Sequence, residues 1–214
     1  MINTYKLIPL SFLFLGIFIL MQVMLPVISF QFWLVGQKYN NSLLISPMQG
    51  SGGGVLGISV QNKNNFPAFV STLTRETKPN YDEFGLSIPA LKIDNAGVKV
   101  DSNDLSNSLA HLPGSALPGE KGNIFISGHS ALSQFFSLKN ALFARLTDLK
   151  KGDRIIITAA GTKFLYQVVD LKVVDPNDLS VIPAPDELGR YVSLMTCVPP
   201  GLNFKRLVVI GEII

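Results

Sequence analysis

The apolar and polar positions of this chain fall into three regimes. From Leu7 to Phe30 the sequence is almost unbroken apolar residues, with no periodicity that would separate a buried face from a wet one. About 24 residues of helix reach roughly 36 Å, enough to cross a bilayer core of ~30 Å with some tilt. Pro9 falls in the first turn, where proline is tolerated, and Pro26 marks a position at which the helix kinks or ends. Phe32 and Trp33 suit the membrane–water interface. Residues 1–36 are therefore expected to form a single transmembrane anchor. A cleaved signal peptide is the alternative reading. Against it stand the length of the apolar stretch and the lack of a small-x-small cleavage site after it. Lys6 and the amino terminus precede the span and Lys38 follows it, which favours a short N-terminus inside and the remaining chain outside.

Residues 37–83 change character. Asn, Ser, Gly and Pro dominate, including Gly50-Ser-Gly-Gly-Gly54, and the segment reads as a linker. Val55–Val60 and Phe69–Leu73 inside it fit short strands or a short helix equally well.

From Phe84 onward the pattern is mostly β. Leu86–Ile93, Val98–Val100 and Ile124–Ser127 are short apolar segments, the last bounded by glycines as a buried strand is. Gly152-Asp153 is a turn before Arg154–Thr158, and Gly161 separates that run from Lys163–Val169, which predicts a hairpin. Ala131–Asp148 has a partly helical spacing, and Pro183–Gly189 is a turn or a short helix. The chain closes with Tyr191–Cys197, a turn-rich loop, and Lys205–Glu212, read as strand, loop, strand. Seven or eight short strands with one or two helices predict a small barrel over residues 84–214.

Composition changes this picture little. The positive mean hydropathy comes from the first forty residues. The net charge of +3 is spread out, with no Lys/Arg cluster, so nucleic acid is a poor partner. The single cysteine excludes an internal disulfide and leaves a buried passenger or a reactive thiol. Cys197 ends one terminal strand and Arg206 opens the other. Antiparallel pairing of the two places the guanidinium beside the thiol, where a fixed cation favours the thiolate. A proton-transfer group is then required. Of the two histidines, His129 ends the apolar run Asn123-Ile-Phe-Ile-Ser-Gly-His129, and His111 lies in a loop-like context before Leu112-Pro-Gly. Strand alternation points Lys205 away from the thiol. Asp101, Asp104 and Glu120 are scattered, and no metal site or cofactor is indicated.

These three residues and their surroundings resemble the sortase family. Ser193-Leu-Met-Thr-Cys197 is similar to that family's Thr-Leu-x-Thr-Cys strand end, with serine in place of the usual threonine. Ile126-Ser-Gly-His129 is similar to its histidine strand, with Ser130 where many members have arginine. Arg206-Leu-Val-Val209 is similar to its arginine strand. Leu112–Gly119, and Ser87–Ile93 as a first barrel strand, extend the likeness over roughly residues 84–214.

The resemblance implies a closed eight-stranded β-barrel behind one membrane helix. It also implies a membrane-bound cysteine transpeptidase on the outer face of the cell. Such an enzyme cleaves a C-terminal Leu-Pro-x-Thr-Gly-like sorting signal of a surface protein. It then passes the acyl group to an amine of a cell-wall precursor or of a pilin-like protein. Cys197 would be the nucleophile, His129 the proton-transfer group, and Arg206 the holder of the carbonyl or oxyanion, with Thr196 assisting. No Asp-Pro-aromatic lid motif, of the kind that plugs some pilin-building members, precedes the barrel. An L,D-transpeptidase-like centre would need a histidine two residues before the cysteine, where Met195 stands. A catalytically silent, membrane-tethered barrel that binds a surface partner is the alternative from another class.

Overall fold

The structure, a computed structural model, describes residues 4–39, 43–45, 57–63, 66–106, 109–130, 141–200 and 204–214. It divides into two units, residues 1–40 and 41–214.

The first unit is one helix, α1 (Thr4–Tyr39). It runs on through both Pro9 and Pro26, so Pro26 does not end it. Its stretch Ser11–Gly36 is long and apolar enough to cross a membrane, and none of its most apolar window is buried by protein. A helix of this length that is apolar on all sides is a candidate membrane span.

Among its described residues the second unit has eleven strands: β1 (Leu43–Ile45), β2 (Ile58–Lys63), β3 (Phe66–Ser71), β4 (Glu83–Ile88), β5 (Ile93–Lys99), β6 (Leu109–His111), β7 (Gly122–Ser127), β8 (Arg154–Ala159), β9 (Thr162–Val174), β10 (Arg190–Val198) and β11 (Lys205–Ile213). Eight of them close a barrel in the order β9-β11-β10-β7-β6-β5-β4-β8, and β8 pairs back to β9. The expected eight-stranded barrel is therefore the one observed. Two of its pairings are parallel, β5 with β6 and β7 with β10; the others are antiparallel. Along the strands one alternation fills the barrel interior, for instance Ile124, Ile126, Val192, Leu194, Leu207 and Val209, all buried. The other alternation faces outward.

Several boundaries differ from the sequence reading. Ser87–Ile93 is not one strand. Pro89 cannot donate to a ladder; it opens a 3-10 turn, Pro89–Leu91, which closes at Lys92 in the left-handed region (φ 58°) and turns β4 into β5. Strand β9 runs on to Val174, because Asp170 and Lys172, polar residues that broke the apolar run, alternate with the buried Leu171 and Val173. The three-residue β6 had no signal of its own. Within residues 37–83, β2 and β3 pair as an antiparallel hairpin, so Ile58–Val60 and Phe69–Ser71 are strand while Val55 and Leu56 lie outside the described residues, and β1 adds in parallel to β9 beside Leu171–Val173. Of the helical spacing read over Ala131–Asp148, residues 131–140 lie outside the described residues, and the rest is turns ending in a 3-10 turn, Leu146–Asp148. The glycine run 50–54 and loop residues 201–203 also lie outside them.

Candidate active site

The site is assembled by three neighbouring strands, β7, β10 and β11. In the antiparallel β10–β11 pair, Cys197 stands directly opposite Arg206, so both side chains leave the sheet on the same face. This is the register the sequence suggested. Strand β7 lies parallel to β10, with Ser127 beside Met195, and the main-chain N–H of Gly128 continues the ladder to the Met195 carbonyl at 3.0 Å. Two residues on from that pair are His129 and Cys197, of equal parity. Cys197 and Arg206 thus leave one face of the sheet, and His129 follows the end of the neighbouring strand β7.

Local packing fixes the histidine. A Cβ at position 128 would come within 2.6 Å of both the Leu109 and the Phe143 side chains, so a glycine precedes His129 because the barrel wall leaves no room there. The Thr196 hydroxyl donates to the Gly128 carbonyl at 2.9 Å. Thr196 is buried and has the opposite parity to Cys197. It is turned away from the thiol and ties the end of the histidine strand to the cysteine strand.

Burial dominates the electrostatics. Cys197 is only 3% exposed, and burial pushes its thiol up from 9.0 to about 11, with Arg206 pulling the other way. The guanidinium therefore favours the thiolate, as its placement predicts, yet does not overcome the loss of water. Burial likewise lowers Arg206, which the thiolate opposes. Arg206 is fully enclosed, and its Nη1 donates to the Lys205 carbonyl at 3.1 Å. His129 is half-buried. Burial lowers its pKa, and a hydrogen bond to the Leu105 backbone pulls it back up. Resting thiol and resting imidazole are thus both held towards their neutral forms. Lys205 points elsewhere, its Nζ 2.6 Å from Asp175 Oδ1.

The second histidine sits apart from this face. His111, on β6, is fully buried, with Nδ1 3.3 Å from Asp101 Oδ1 and Nε2 2.9 Å from both the Ala116 carbonyl and Ser115 Oγ. The hydrogen bond from His111, ahead of Arg75, holds the Asp101 carboxyl down to about 2. Asp101 and Glu120, far apart in sequence, converge on Arg75 at 3.2 and 3.4 Å. Sequence reasoning missed this network, because Arg75 falls in the stretch read as linker.

Together, a closed eight-stranded barrel with a cysteine, a histidine and an arginine at the ends of neighbouring strands defines a thiol-bearing β-barrel protein. Residues 84–214 match the family model described as "Sortase: Sortase domain", and the chain belongs to the sortase family. It is 30% identical over 131 residues to Sortase D of Bacillus subtilis, covering 59% of this chain and 61% of that protein. It thus spans about three-fifths of the length of that relative. Among solved structures, it is similar to Sortase A from Corynebacterium diphtheriae (33% identity, TM-score 0.54, 65% of this chain and 63% of the other). It is also similar to sortase C1 from Streptococcus agalactiae (29% identity, TM-score 0.56, 64% and 70%).

Proposed function

We propose that the protein is a membrane-anchored cysteine transpeptidase that cleaves a C-terminal sorting signal of the Leu-Pro-x-Thr-Gly kind and transfers the acyl group to an amine. The observation that carries this reading is the direct cross-strand pair Cys197–Arg206 with His129 on the next strand end. Residues 1–36 act as the anchor, residues 37–83 connect, and residues 84–214 carry the chemistry on the outer side of the membrane. The substrates are surface proteins bearing such a signal. The acceptor is an amine of a cell-wall precursor or of a pilin-like protein.

Cys197 attacks the scissile carbonyl as its proton passes to His129, and the imidazolium then protonates the departing amine. Arg206 donates to the oxyanion that grows on the carbonyl, a task suited to a permanently charged, planar fork. The incoming amine reverses the sequence: it loses a proton to His129, attacks the thioester, and frees the Cys197 thiol. Thr196 contributes by holding the strand end that carries His129. The outer face of β7 and β10 leading up to Cys197 is the lane along which an extended peptide approaches.

The raised pKa of Cys197 favours a second reading, a silent tethered barrel that binds a surface partner. The two readings separate on incubation of the full-length protein with a library of sorting peptides, followed by intact-mass measurement. A transpeptidase forms an acyl-enzyme on Cys197 that is discharged by an added amine. No adduct with any peptide would leave the silent barrel standing.

A further inference from the structure

The imidazole of His129 is held by a loop that lies outside the three strands of the site. His129 is hydrogen-bonded to the backbone of Leu105, and the bond favours the protonated ring. Only an acceptor does that, so a ring N–H donates to the Leu105 carbonyl. An imidazole that gives one N–H to a fixed carbonyl keeps its other nitrogen for the exchange of protons. The carbonyl thus selects the tautomer.

Leu105 belongs to no strand or helix; it lies in the loop that leaves β5. Two turns closed by side chains shape this loop. Ser102 Oγ accepts from the Asp104 N–H at 3.1 Å, and Asp104 Oδ1 accepts from the Ser106 N–H at 3.0 Å. In each, a short polar side chain takes the place of a backbone turn bond. The second turn has a direct geometric consequence. The Leu105 carbonyl and the Ser106 N–H share one planar peptide unit and, when it is trans, point in opposite directions. Holding that N–H on Asp104 therefore sets the direction of the carbonyl.

The base of the loop is fixed as well. The Ser102 N–H donates to the His111 carbonyl at 2.9 Å. Asn103 brackets the backbone of Ser71, its Oδ1 accepting at 3.1 Å and its Nδ2 donating at 3.0 Å. Asp104 itself is exposed, so its carboxylate fills no part of the core. The sequence reading left it among scattered acids without a role.

We propose that Asp104 is a positioning residue for His129: by holding the Ser106 N–H it turns the Leu105 carbonyl onto the imidazole, and so fixes which ring nitrogen exchanges the proton. This rests on the reading of His129 as the proton-transfer group.

The test uses the full-length protein in detergent, made with isotope-labelled histidine. The chain has two histidines, and the signals lost in His129→Ala belong to that ring. In the wild type the neutral His129 ring should be a single tautomer. In Asp104→Ala its nitrogen shifts should move to the averaged values of a mixture. The maximal rate of acyl-enzyme formation from a sorting peptide should fall about tenfold to a hundredfold, with the half-saturating peptide concentration nearly unchanged. Asp104→Asn keeps the acceptor and drops the charge, and should restore both readouts. A single tautomer retained in a folded Asp104→Ala protein overturns the proposal. So does an Asp104→Asn protein as impaired as Asp104→Ala, since the charge and not the turn would then be the agent. Should Asp104→Ala fail to fold, Ser102→Ala, which takes the acceptor from the Asp104 N–H, serves with the same tautomer outcomes. The tautomer is read without turnover, so failure of the transpeptidase reading would show separately, as absence of acyl-enzyme from sorting peptides in the wild type.

Discussion

The thiol of Cys197 offers the sharpest test of the site's electrostatics. Burial raises it from 9.0 to about 11, with Arg206 opposing. At pH 8 a thiol at 11 is ionised to about one part in a thousand and one at 9.0 to about one part in ten. Alkylation by iodoacetamide should then run about a hundredfold slower than for an exposed cysteine. The rate should climb about tenfold per pH unit from 8 to 10 and level off only near 11. Arg206→Met removes the cation that pulls the thiol down, so its profile should shift farther up and its rate at pH 9 should fall.

The same shift bears on stability. The folded state binds this proton more tightly than the unfolded chain. The stabilisation is full below about pH 9 and is lost as pH rises through about 11. Its size is at most about 2.7 kcal/mol, two pKa units, read against Cys197→Ala as a protein without the titrating group. Intact-mass kinetics and denaturation across pH 8–11 supply the measurements. A wild-type inflection at or below 9 would refute the dominance of burial. Superimposable profiles for wild type and Arg206→Met would refute the reach of the guanidinium.

The remaining predictions concern the neighbours. His129→Ala should abolish peptide turnover with the melting temperature nearly unchanged. His111→Ala should instead destabilise the fold by about 1–3 kcal/mol, since it strips partners from a buried network, and should spare the chemistry of the molecules that remain folded; a dead but stable His111→Ala protein would reverse the assignment. Arg206→Lys, lacking the planar fork, should lose ~10²–10³ in acyl-enzyme formation, whereas Lys205→Ala, which breaks one half-exposed ion pair with Asp175, should cost little. Equal losses in the two would sink the strand-pair geometry. Full-length protein should stay with membranes through a carbonate wash, and a shortened soluble product would show that α1 is removed.

Much of the barrel was legible because its strands are short apolar runs bounded by glycine or proline. The site was legible for a stricter reason: Cys197 and Arg206 end and begin two strands joined by one short loop, so hairpin pairing fixes their register. What escaped notice depends on long-range partners. The strand β6, Leu-Ala-His, is too short to carry a pattern and exists because β5 and β7 flank it. The hairpin β2–β3 lies within a linker-like stretch whose short apolar runs fit strand or helix alike, and Ile58 and Phe69 acquire meaning only from the sheet beneath them. The dominance of burial over the Arg206 charge was equally invisible, since no sequence pattern reports how much water a thiol loses.

The parallel pairing of β7 with β10 governs when the chain acquires its chemistry. The segment between those strands contains the whole β8–β9 hairpin, and β8 and β9 each contribute to closing the ring. Histidine and cysteine therefore meet only after a long loop has been closed, a step that is intrinsically late and slow in folding. Until that loop closes, the thiol and the imidazole are carried on separate parts of the chain, so an unfinished barrel has the cysteine strand without its neighbour.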